Sequence, residues 1–139
     1  MIKFFVDSSF VIEALKGNSE ALKLSKYLIS FEKPFLFFFN HTVWSEIVYQ
    51  LYFKRGLELR LIESFMEGWT LLSMDSSIKE KALFLIKEFD LKPNDSLILA
   101  TCVANGIKFL LSFDRDFLRP AKEEGVVVVS SPEDLEGVL

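Results

Sequence analysis

Short apolar runs alternate along this chain with longer stretches in which apolar residues recur every three or four positions. That alternation predicts strands and helices in turn. Residues 2–6 read as a first strand. Ser8 or Ser9 then caps a helix carrying Phe10, Val11, Ala14 and Leu15, closed near Gly17, and Asn18 or Ser19 opens another through Leu22, Leu24, Tyr27 and Leu28. Phe35–Phe39, introduced by Pro34, is a second strand. Asn40 or Thr42 caps a long helix to about Lys54, ended at Gly56, with Val43, Trp44, Ile47, Val48 and Leu51 in one apolar stripe.

Leu57, Leu61, Ile62 and Phe65 place a further helix over 57–67, and Trp69–Met74 reads as a short strand. The segment 76–90 is an amphipathic helix through Ile78, Ala82, Leu85, Ile86 and Phe89. Pro93 falls in the first turn of the next helix, where its missing N–H has no partner to lose. That helix runs to about Asn105-Gly106 and is apolar nearly all round, which predicts burial. Strand 107–112 follows, then a valine strand 126–129 and a short helix after Pro132. Strands alternating with helices predict a three-layer α/β/α sandwich with a mainly parallel central sheet. With no linker or repeat, residues 1–139 read as one domain.

Two aspartates sit where apolar runs end: Asp7 after Ile2–Val6, and Asp114 after Ile107–Leu111. In a parallel α/β sheet the strand C-termini line one edge, and ligand sites form outside it. Two carboxylates on that edge repel unless a positive charge lies between them, and a divalent metal is the usual answer. Asp116 is two residues further on, and Asp95 opens the buried helix. Each acid also has an ordinary reading: a helix-start residue for Asp7, a turn or loop acid for Asp114 and Asp116, a macrodipole partner for Asp95. Glu46 lies off the centre of its helix stripe and reads as an exposed glutamate. Ser8, Ser9 and Ser112 adjoin the strand-end acids and suit either cap roles or the orientation of carboxylates. Arg115, Arg119 and Lys122, close to Asp114, are candidates for phosphate contacts or members of a solvated loop.

Composition narrows the chemistry. A net charge of −4 argues against a protein that coats nucleic acid through counterion release, but not against an enzyme that reaches phosphates through metal ions. Half of the residues are hydrophobic and 15 are Phe, so the core is expected to be large and aromatic. The lone Cys102 in an apolar segment reads as a buried, inert thiol, and a single cysteine suits the cytoplasm. The lone His41, at a helix start, reads as a local or surface residue. No apolar run approaches the ~20 residues of a membrane span, and the first run is too short for a signal peptide. Phosphate-loop and dinucleotide-binding glycine motifs are missing, as is any Cys/His zinc cluster.

Asp7-Ser8-Ser9 with Val11 and Leu15, Glu46, Pro93–Ala100 and Leu111–Phe117 together resemble the PIN domain, most closely the VapC-type toxins of prokaryotic toxin–antitoxin pairs. The resemblance covers the whole chain, and its last two motifs are the specific ones; Ser96 stands where an alanine is common. It implies a Mg²⁺- or Mn²⁺-dependent ribonuclease acting on single-stranded RNA and leaving 5′-phosphate and 3′-hydroxyl ends. It implies that Asp7, Glu46, Asp95 and Asp114 form the metal-binding and catalytic cluster. Ser112 matches the supporting hydroxyl, and Asp116 matches an acid used in some members. An antitoxin partner and a homodimer are implied likewise. Surplus aromatics at Trp44, Tyr49, Tyr52 and Phe53 fit an interface. A PIN-fold binding module with a vestigial site and a metal-dependent phosphatase are the alternatives.

Overall fold

The computed structural model describes residues 1–139. Five strands form one all-parallel sheet: β1 (Ile2–Val6), β2 (Phe35–Asn40), β3 (Thr70–Leu72), β4 (Phe109–Leu111) and β5 (Val127–Val129), in the order β3-β2-β1-β4-β5. The connecting helices are α1 (Ser8–Leu15), α2 (Ser19–Ile29), α3 (His41–Val48), α4 (Leu59–Phe65), α5 (Ser76–Phe89), α6 (Pro93–Ala104) and α7 (Leu118–Glu123). The expected parallel α/β sandwich is the fold observed.

The strand order fixes where a ligand site belongs. From β1 the chain steps outward through β2 to β3, then returns across the sheet to β4 and steps the other way to β5. Right-handed crossovers send the two sets of connections to opposite faces. The connections leaving β1 and β4 therefore diverge, and a crevice opens beyond the carboxyl ends of these neighbouring strands. The last link between them is Asp7 N–H donating to the Leu111 carbonyl at 2.9 Å.

The phenylalanines fill the space beneath. Phe4 and Phe5 are fully buried, and the Phe4 ring packs within 5.6–6.4 Å of those of Phe31, Phe35, Phe37 and Phe109. Burying each such ring is worth about 1.5–3 kcal/mol, so this cluster anchors the strands that carry the crevice. Asn40 caps α3 by accepting from Val43 N–H at 3.0 Å, and its side-chain amide donates to Thr101 Oγ1 on α6 at 2.9 Å. Fully buried, this pair ties the helix carrying Glu46 to the helix carrying Asp95.

Several boundaries differ from the sequence reading. The helix expected to run to Lys54 leaves α geometry after Val48 and continues as one π-helical turn, Tyr49–Phe53. Leu57 N–H closes that segment onto the Leu51 carbonyl, which delays α4 to Leu59. The expected strands shrink to Thr70–Leu72, Phe109–Leu111 and Val127–Val129, the residues that find ladder partners. Arg119 and Lys122 stand on α7, a helix not expected from the sequence; Pro120 falls in its first turn, where it lacks only an N–H that is unpaired anyway. The closing helix is a single 3₁₀ turn, Pro132–Asp134. Neither Ser8 nor Ser9 caps α1, whose N-cap position is taken by Asp7 without a side-chain cap bond. No helix is long and apolar enough to cross a membrane.

Candidate active site

Asp7 is the deepest of the acids, 3% exposed at the end of β1. Its Oδ2 accepts from Ser9 Oγ at 2.7 Å and from Ser112 Oγ at 2.8 Å. The two serines arrive from opposite directions: Ser9 from the first turn of α1, Ser112 from the residue after β4. Each also accepts a backbone N–H of the β4 exit loop, Phe113 onto Ser9 at 2.9 Å and Asp114 onto Ser112 at 3.0 Å. The hydroxyls thus point both protons at Asp7 and use their lone pairs to fix the loop that carries Asp114. With both donors on Oδ2, Oδ1 has no side-chain donor.

On the other side of the crevice, Glu46 projects from α3. Ser8 Oγ donates to its Oε1 at 3.1 Å, and Asn94 Nδ2 approaches Oε2 at 3.5 Å. Glu46 is half-buried, not the exposed surface residue its helix position suggests. Asp95 stands in the first turn of α6, also half-buried. Carboxylate oxygens of Asp95, Asp114 and Asp116 all lie within 4.8 Å of one another. Asp114 is held there by turning back on its own loop, Oδ1 accepting from Asp116 N–H at 2.9 Å.

Asp116 thus belongs to the tightest group, whereas the sequence favoured a loop acid. The Asp7 and Glu46 carboxylates, oriented by serines and Asn94, stand outside that triad. Asn94 was not singled out beforehand; its place between Pro93 and Asp95 in the first turn of α6 was the available signal.

The acids share little positive charge. The four ion pairs of the chain, Lys16–Glu13, Lys23–Glu133, Arg60–Glu58 and Lys81–Glu124, involve none of them. Burial, and then the charges of Asp114, Asp7, Glu46 and Asp116, push the Asp95 carboxyl up to about 7. Burial likewise raises Asp7, against the two serine hydrogen bonds that favour its charged form. Glu46 is raised by burial, opposed by the Ser8 bond. Such a set invites a divalent cation. Oxygens bound to one ion at about 2.1–2.4 Å are at most about 4–5 Å apart, the spacing of the triad. All donors are hard oxygens, with neither sulfur nor imidazole among them, so the residues present fit a metal of the oxygen-preferring class.

The basic candidates divide. Arg115, exposed in the 3₁₀ turn after Asp114, lines a cleft of about 200 Å³ with Ser112, Asp114 and Ser130. Arg119 lies 5.6 Å over the ring of Phe89, at the end of α5. Lys122, exposed, is one helical turn further along α7. Cys102 is fully buried, its thiol pushed up by desolvation, in keeping with an inert core residue; His41 is exposed at the start of α3.

Ser112→Ala is expected to lower activity about 10- to 100-fold, because it frees Asp7 and unties the Asp114 loop together. It is also expected to destabilise by about 1–3 kcal/mol, by leaving a buried N–H unpaired. Steady-state kinetics and urea unfolding of the same preparation check both. Wild-type activity with lowered stability would reduce Ser112 to a packing residue.

Known proteins share both sequence and fold with this chain. The PIN domain profile matches residues 4–123. Ribonuclease VapC2 of Methanocaldococcus jannaschii is 30% identical over 131 residues, spanning 84% of this chain and 88% of the relative. Ribonuclease VapC6 of the same organism is 28% identical over 138 residues, spanning 81% and 89%. Among solved structures, Mycobacterium tuberculosis VapC20 superposes with a TM-score of 0.69 at 19% identity, over 84% of this chain and 94% of that one. VapBC-1 from nontypeable Haemophilus influenzae gives 0.72 at 13% identity, over 93% and 98%. The structural likenesses show the fold, while the profile and VapC2 carry the descent. An acidic group at the β1/β4 crevice, on a chain that matches the PIN profile nearly end to end, places this protein in the PIN-domain family, among relatives of the VapC ribonucleases.

Proposed function

We propose that this chain is a metal-dependent endoribonuclease cleaving single-stranded RNA, and the toxin of a VapBC-type toxin–antitoxin pair. The observation that carries the reading is the convergence of Asp95, Asp114 and Asp116 within 4.8 Å at the crevice where a parallel sheet binds ligands. The 30% identity to Ribonuclease VapC2 supports the substrate class. Asp7, Glu46, Asp95 and Asp114 are assigned as the catalytic and metal-holding acids, with Asp116 joining them. Mg²⁺ or Mn²⁺ is the assigned cation, on the all-oxygen donor set.

A divalent ion in this position supplies Lewis acidity toward a phosphate oxygen and lowers the pKa of bound water. The chain's own work is positioning. Ser9 and Ser112 hold Asp7 by one oxygen, Ser8 and Asn94 hold Glu46, and the Asp116 N–H holds Asp114. Asp95, whose carboxyl is pushed up to about 7, is only partly ionised at neutral pH until neighbouring negative charge is compensated. Arg115, Arg119 and Lys122 are assigned to contacts with the RNA phosphates, Arg115 being the one adjacent to the acids. The direct test is cleavage of single-stranded RNA with Mg²⁺, Mn²⁺ or EDTA, alongside a small phosphate ester. Hydrolysis of the ester alone would replace this reading with a phosphatase.

The protein is further proposed to act in the cytoplasm as a homodimer bound by an antitoxin. Solved structures of the same fold, among them a toxin–antitoxin complex from Klebsiella pneumoniae and VapBC-1 from nontypeable Haemophilus influenzae, support the antitoxin. Support for the dimer comes from Trp44, Tyr52 and Phe53, which stay 41%, 40% and 71% exposed. Tyr52→Glu is expected to weaken self-association at least about 30-fold, as for a buried aromatic anchor. Sedimentation showing a wild-type monomer at micromolar concentration would remove this interface.

A further inference from the structure

The π-helical turn opens a second feature beside the acids. Ser45, Glu46, Tyr49 and Gln50 recur on one face of the α3 segment and line a cleft of about 420 Å³, completed by Ser8, Ser9, Ile12 and Asn94. The cleft is continuous with the site, because Glu46 belongs to both and Asn94 touches Glu46. Its volume lies in the range of small-ligand sites. Tyr49 is 55% exposed, and the Lys54 ammonium lies 5.2 Å from its ring centroid. A phenol ring lining a cleft, with a cation over one of its faces, offers its other face for stacking and a charge for a phosphate. Gln50 and Ser45 supply donors and acceptors that an apolar cleft wall would not. π turns also concentrate at functional sites.

We infer that this cleft seats a nucleotide of single-stranded RNA next to the scissile phosphate, its base stacked on Tyr49 and its edge read by Gln50. The inference rests on the ribonuclease reading and adds a specificity-determining pair to it. Trp44, Tyr52 and Phe53 do not line the cleft, so base recognition and self-association use different side chains.

Two measurements test it. In the first, Tyr49→Ala, Tyr49→Phe and Gln50→Ala are given a randomised single-stranded RNA, and the new ends are sequenced. Tyr49→Ala is expected to raise KM about tenfold or more with kcat within about threefold, since stacking onto an aromatic ring accounts for that much binding. Tyr49→Phe should keep wild-type KM, and Gln50→Ala should flatten the base preference at one position beside the cut. Sedimentation of Tyr49→Ala should match wild type. In the second, a 5-iodouridine RNA oligonucleotide is photocrosslinked to the Asp95→Asn protein, and the peptide bearing Tyr49 should carry the adduct.

Cleavage by Tyr49→Ala with wild-type KM and base profile overturns the inference and leaves the ribonuclease reading intact. A changed oligomeric state in Tyr49→Ala overturns it too, by making the ring an interface residue. Crosslinks confined to other peptides have the same force. Conversely, crosslinking at Tyr49 in a protein whose wild type cuts no RNA would uphold the cleft as an RNA seat and sink the nuclease reading.

Discussion

Asp95→Asn, Asp114→Asn and Asp7→Asn are each expected to cut the rate of RNA cleavage by more than about 100-fold with the fold intact. Losing a residue that merely orients a metal ligand costs about 10- to 100-fold, and losing the ligand's own charge costs more. Asparagine keeps the shape of aspartate, so the comparison isolates charge. Glu46→Gln is expected to follow, because Ser8 can still donate to its carbonyl while the charge is gone. Asp116→Asn separates two versions of the site: a loss as large as that of Asp95→Asn makes it a full ligand, and a loss under tenfold leaves the triad geometry incidental. Cleavage rates at saturating Mn²⁺, with circular dichroism on each variant, decide the matter. Near-normal activity in Asp7→Asn, Asp95→Asn and Asp114→Asn together would end the proposed nuclease site.

The second large effect is on stability. Mn²⁺ or Mg²⁺ binding only the folded state at a hundredfold excess over Kd stabilises by about 2.7 kcal/mol. For a domain of this size that is a rise of about 8–10 °C in Tm. The pH dependence follows from Asp95, whose carboxyl is raised to about 7 in the folded protein. Below about pH 3 the residue is protonated whether folded or not, and it exacts no penalty. As pH rises, the unfolded chain releases the proton first, so the metal-free protein loses stability up to about pH 7. For a half-exposed carboxyl partly screened by water, the loss is on the order of 1–2 kcal/mol. Asp95→Asn should therefore melt above wild type at pH 7.5 without metal, approach it near pH 3, and show no more than a small response to Mn²⁺. The metal-induced rise in wild type should be smaller at pH 5.5 than at pH 7.5, because the cation must displace that proton. Equal ionic strength of NaCl serves as the control. An Asp95→Asn protein that melts well below wild type at pH 7.5 would make Asp95 a structural helix-start residue.

The sequence by itself determined the order of the elements, α7 excepted, and the place of each strand, because both depend on local periodicity. Apart from Lys3, Ile2–Val6 is apolar on both faces, as is Phe35–Phe39 and as strands inside a parallel sheet tend to be, and 76–89 carries a full helical stripe. Asp7 and Asp114 were legible for the same reason: Asp7 directly follows one such strand, Asp114 is the third residue after another, and a parallel sheet lines up its strand ends. Tertiary structure decided the rest. Nothing local distinguishes Glu46 from an exposed helix glutamate; it is half-buried because α3 is tied to α6 through Asn40 and Thr101, which brings Asn94 onto one oxygen, and packs against α1, which brings Ser8 onto the other. Nor does spacing reveal that Ser9 and Ser112, 103 residues apart, share one oxygen of Asp7. Asp116 joins Asp95 only because the β4 exit loop folds back on the Asp114 carboxylate. The π turn at Tyr49–Phe53 leaves the apolar stripe nearly unchanged, with Leu51 still buried, so periodicity is blind to it. Residues whose role depends on their own strand or helix could be read from the chain, whereas those whose role depends on a partner across the sheet had to wait for the sheet to close.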